Sequence, residues 1–93
     1  MRIELKKFGR VLTSRSAGKE AFLAIRPVID LNQERIEIDF SDVVSLAPSW
    51  ADEFFPALID FYKGKIIYLP TDNLSVKETF KIINIGKKKA TIH

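Results

Sequence analysis

Ninety-three residues, 46% of them apolar and seven of them phenylalanine, suffice for one small domain around one hydrophobic core. The chain has no cysteine, which excludes disulfides, thiolate catalysis and cysteine–zinc sites and fits a reducing compartment. Its net charge of +3 hides a division, because residues 30–60 carry eight carboxylates against Arg35 alone, while the two flanks together carry fourteen basic and four acidic residues.

Residues 1–5 alternate, with Ile3 and Leu5 on one side and Arg2 and Glu4 on the other, which predicts a short half-buried strand. Phe8-Gly9 reads as a turn, and residues 10–13 are expected to pair back as a second short strand. A helix follows, capped by Ser14 or Ser16, with Ala21, Ile25 and Val28 at helical spacing and Phe22 and Ile29 widening the apolar stripe. Pro27 predicts a kink or stop near Arg26.

Residues 35–40 give the clearest strand: Ile36, Ile38 and Phe40 face one way, and Arg35, Glu37 and Asp39 the other. That polar face implies an edge position or a partly covered one. After a polar loop, residues 49–62 predict a helix that buries Ala51, Phe54, Phe55, Leu58, Ile59 and Tyr62. Asp52, Glu53, Pro56, Asp60 and Lys63 fall on its solvent stripe. Lys63-Gly64 ends it, with the glycine suited to the left-handed conformation.

Residues 65–69 form an apolar strand, expected to run parallel to residues 35–40 through a right-handed helical crossover. Residues 70–73 are a turn cluster, and Ser75 with Glu78 fits a capping box. Val76, Phe80 and Ile83 then mark the core face of a last helix ending at Gly86. Lys87-Lys88-Lys89 is expected to stay solvated, and residues 90–93 to form a tail or a closing strand. The sequence shows no internal repeat or linker, and a single domain over residues 1–93 is expected.

The chemistry-bearing residues are few. Asp39, Asp42, Asp52 and Glu53 could supply an acid–base pair or hard-metal ligands, but Asp52 and Glu53 sit on the solvent stripe. His93 is remote in sequence from every other candidate, no hydrolase motif surrounds Ser49, and the four glycines are too scattered for a phosphate loop. The expectation is therefore a domain that is not an enzyme and takes no cofactor or metal. Ser49, at the joint of loop and helix, reads first as an N-cap with Asp52 at the third position. A phosphate on it would add about −1.5 to −2 charges at the helix start, beside acidic Asp52 and Glu53. Ser45 is a second candidate hydroxyl. Trp50 reads either as packing or as an exposed anchor on a stripe with Ala57 and Phe61.

Two local signatures, Thr13-Ser14-Arg15-Ser16-Ala17 and Ile38-Asp39-Phe40-Ser41-Asp42-Val43 followed by Ser49-Trp50-Ala51-Asp52-Glu53-Phe54-Phe55, resemble those of the STAS-like domain family of unknown function. The order of elements is similar to the STAS domains of sulfate transporters and anti-sigma-factor antagonists. The resemblance implies a small STAS-like α/β fold, a mixed β-sheet packed by about three helices. In the antagonists the loop after the central strand ends in Asp-Ser-Ser-Gly and carries a regulatory phosphoserine. Ser49 falls at the second of those serines, while Pro48 replaces the first, Ala47 the aspartate and Trp50 the glycine. The resemblance also implies a protein partner such as a histidine-kinase-like ATPase.

The expected function is thus a regulatory or protein-interaction domain, with Ser45, Ser49, Trp50, Asp52 and Glu53 as partner surface and Ser49 as candidate phosphorylation site. The alternative is a nucleic-acid-associated module using Lys6, Lys7, Arg10, Arg15 and Lys87-Lys88-Lys89. No apolar run reaches the ~20 residues that span a bilayer, and the N-terminal sequence lacks a signal-peptide core, so a cytoplasmic protein is expected.

Overall fold

A computed structural model describes residues 1–83. Five strands, β1 (Arg2–Glu4), β2 (Val11–Leu12), β3 (Arg35–Asp39), β4 (Ser45–Leu46) and β5 (Lys65–Tyr68), are joined by α1 (Arg15–Ile25), α2 (Pro48–Tyr62) and α3 (Leu74–Ile82). Short 3-10 turns occupy Leu5–Phe8 and Arg26–Val28, the second placed by Pro27 where α1 stops. The last helix stops at Ile82, where Ile83 turns extended, short of the end expected at Gly86; the lysine run and the C-terminal tail lie outside the described residues.

Three strands form one sheet in the order β1-β3-β5, with Ile3 opposite Ile38 and Ile36 opposite Ile66. Every pairing among the described residues is parallel, because helical crossovers separate the strands. β3 is therefore central, so of the two expected alternatives the edge position falls and the partly covered face holds. On that face Glu37 and Asp39 are half-buried and salt-bridge to Arg2 at 3.3 and 4.0 Å. β2 also departs from expectation. It pairs with β4 rather than folding back on β1, because the turn at Leu5–Phe8 and Gly9 carries it away from the first sheet.

α2 supplies the centre of the core. Ala51, Phe54, Phe55, Leu58 and Tyr62 are buried as the helical spacing predicts, Ile59 is only half-buried and Trp50 joins the buried set, each large apolar side chain contributing about 1.5–3 kcal/mol by leaving water. Trp50 stacks on Phe54 with ring centroids 4.8 Å apart, and Phe55 meets Tyr68 and Phe80 at 5.7 and 5.3 Å. Pro56 lies on the exposed face of α2, as expected. The left-handed residue at the end of α2 is Lys63 (φ 60°), one position before the glycine expected there. Gly64 is needed for space, since a Cβ at that position would overlap the Tyr62 ring.

Candidate functional site

The loop from β3 to α2 begins as a tight turn. Asp42 takes a left-handed conformation (φ 64°), and the Val43 N–H donates to the Phe40 carbonyl at 3.2 Å. Asp39 accepts from both the Ser41 hydroxyl (2.6 Å) and the Ser41 N–H (2.8 Å), and those two bonds, hydroxyl first, hold its carboxyl below the usual aspartate range.

From there the loop is gripped on two sides. On one, the Val44 and Ser45 N–H groups donate to the Arg10 carbonyl (2.7 and 3.1 Å) and the Ala47 N–H to the Leu12 carbonyl (2.9 Å). The Arg10 guanidinium returns a bond to the Asp42 carbonyl (3.2 Å), and Lys6 pairs with the Asp42 carboxylate (3.3 Å). On the other side, Asn73 donates to the Val43 and Val44 carbonyls (2.7 and 3.2 Å). The Ser75 hydroxyl accepts from the Leu46 N–H (2.9 Å) and donates to the Leu46 carbonyl (3.1 Å), which also accepts from the buried Thr79 hydroxyl.

Two expected caps are thereby corrected. Ser75 does not open α3 with a capping box: its hydroxyl is used across the fold, and Asn73 caps α3 by accepting from the Val76 N–H at 3.1 Å. Ser49 does not cap α2, because Pro48 occupies the first turn and Ala47 is the N-cap, with no side-chain hydrogen bond. Ser49 lies within the first turn, half-exposed.

The other candidates separate. Trp50 is 1% exposed and packed against Phe8, Phe54 and Phe55, so it belongs to the core and the exposed-anchor placement is wrong. Asp52 is exposed, and Glu53 bonds Arg15 at 2.9 Å. Ser45 is half-exposed and in register with Val11, which is 62% exposed, while their neighbours Leu46 and Leu12 point inward. Sequence reasoning missed the apolar part of this surface: Val11, Val44 (57%) and Leu74 (73%) stand exposed on three segments that the hydrogen bonds above bring side by side.

The acidic middle and the basic N-terminal flank meet directly. Arg2, Lys6 and Arg15 each pair with a carboxylate of residues 30–60, and Lys7 pairs with Glu4 at 3.3 Å. Among the described residues no three His, Cys, Asp or Glu side chains are grouped to hold a metal ion, and no helix is long and apolar enough to cross a membrane. The two quoted signatures come together: Ser14 caps α1 by accepting from the Ala17 N–H, Arg15 bridges to Glu53, and Gly18 abuts the Trp50 backbone.

A family model described as "STAS-like domain of unknown function (DUF4325)" matches residues 17–89. No curated protein and no solved structure matches the chain.

Proposed function

The chain belongs to the family of STAS-like domains of unknown function, and on that premise we propose that it is a non-enzymatic, cytoplasmic protein-interaction domain with regulatory output. Its contact surface is the loop of residues 41–47 with the exposed start of α2: Val44, Ser45, Ser49 and Asp52, flanked by Val11 and Leu74. One observation carries the reading. A loop held by backbone and side-chain bonds from two sides presents the exposed Val44, and the segments that hold it add the exposed Val11 and Leu74. Fixed apolar groups with a polar rim suit protein recognition, since little ordering entropy opposes docking. A histidine-kinase-like ATPase is the partner class to try first.

Affinity capture followed by titration of the purified partner tests the proposal. Val44→Asp with Leu74→Asp should weaken binding by at least about tenfold, because each charge must be desolvated against an apolar partner. Unchanged affinity for a folded double variant would refute it. Phosphorylation of Ser49 is a separate proposal, supported by its half-exposed position in the first helical turn, where a phosphate would change charge beside Asp52. Intact-mass measurement should find one phosphate that Ser49→Ala removes; its absence across growth conditions would end that idea. The nucleic-acid alternative has weaker support, because Lys6, Lys7 and Arg15 already face carboxylates and Arg10 a carbonyl.

A further inference from the structure

The contact loop and α3 depend on each other. The pairing of β2 with β4 covers two residues on each strand, too short to hold its shape unaided. Four backbone groups of the loop, the carbonyls of Val43, Val44 and Leu46 and the N–H of Leu46, find their partners on Asn73, Ser75 and Thr79. In return α3, nine residues long, is too short to persist as an isolated helix, and its capping residue is itself tied to the loop. The Ser75 and Thr79 hydroxyls of α3 thus bond the loop, while Val76 and, just past the helix, Ile83 enter the core.

We infer that α3 is the control element of the contact surface: loop and helix form one cooperative unit, so that any event displacing α3 dismantles the surface as a whole. Only the regulatory meaning of this coupling rests on the proposed function. The coupling itself can be measured in the protein without a partner.

Ser75→Ala with Thr79→Val removes two hydroxyls and leaves the acceptors on β2 untouched. Amide exchange followed by NMR should then accelerate by at least about tenfold at Val44, Ser45 and Ala47, whose acceptors are the Arg10 and Leu12 carbonyls, and together with them at Lys77 in α3 and at Ile83, which caps its end. The Glu37 and Leu69 amides, bonded within the three-stranded sheet, should keep their rates. Acceleration confined to Leu46, which loses its own partner, would overturn the inference. Should the double variant fail to fold, Ser75→Ala alone is read by the same pattern. Correlated exchange in a protein whose Val44→Asp, Leu74→Asp variant keeps its partner would leave the coupling standing and remove the contact surface.

Discussion

The molecule has two seams of opposite construction. Between α1 and α2 the joint is made by packing: Gly18 lets α1 approach the Trp50 backbone, and the Trp50 ring is sealed by Phe8, Phe54 and Phe55. Between the loop and α3 the joint is made by directed hydrogen bonds from Asn73, Ser75 and Thr79 to loop backbone. Packing attraction is non-directional and strong in sum, whereas hydrogen bonds are directional and contribute modestly each. The apolar seam therefore sets stability, and the polar one sets the shape of the exposed loop.

The comparison breaks first at Trp50. Trp50→Ala should cost about 3–5 kcal/mol in urea unfolding, the cost of a cavity among aromatic rings; a loss below 1 kcal/mol would mean that this seam is not the stabilising one. Gly18→Ala comes next, at about 1–3 kcal/mol, because the added methyl would overlap the Trp50 carbonyl and push the helices apart. On the polar seam, Asn73→Ala should cost only about 0.5–2 kcal/mol while loosening the loop amides, since it deletes a cap and two bonds to the loop together.

Tyr68 sharpens the point about hydrogen bonds. Its hydroxyl is buried with no partner among the described residues, and burial pushes its pKa up to about 12. Tyr68→Phe should accordingly leave stability unchanged or raise it, by up to about 1 kcal/mol in thermal unfolding. The smallest effect concerns Asp39. Its folded pKa is lowered, first by the Ser41 hydroxyl and then by the Ser41 N–H, so the stabilisation is present above the unfolded value of about 3.9 and is lost as pH falls through the lower folded value. Ser41→Ala should be slightly less stable than the parent at neutral pH, and the two acid titrations should converge at the low end.

Much of this architecture could be read from the residues. Period-two alternation marked β1 and β3, the apolar run marked β5, and helical spacing gave the inner face of α2 down to Leu58 and Tyr62. What escaped depended on partners distant in sequence. β4 is two residues long, and only tertiary contact tells it from a turn, while β2 fell within the strand expected at residues 10–13 but its partner could not be read locally. Nothing local shows that a serine three before a glutamate will spend its hydroxyl on Leu46, although Asn73 was available as a stronger cap. The Ser49 cap was avoidable, since Pro48 favours the first helical position and moves the cap back to Ala47. The Trp50 alternative turned on whether Phe8, more than forty residues away, would cover it.

The central claim is that partners meet the pinned loop and not another face. Chemical-shift mapping of the labelled domain against its captured partner tests this most directly. The account predicts that the largest perturbations fall on Val11, Val44, Ser45, Ala47 and Leu74. Perturbations confined instead to the outer faces of α1 and β5, with those five unmoved, would contradict it.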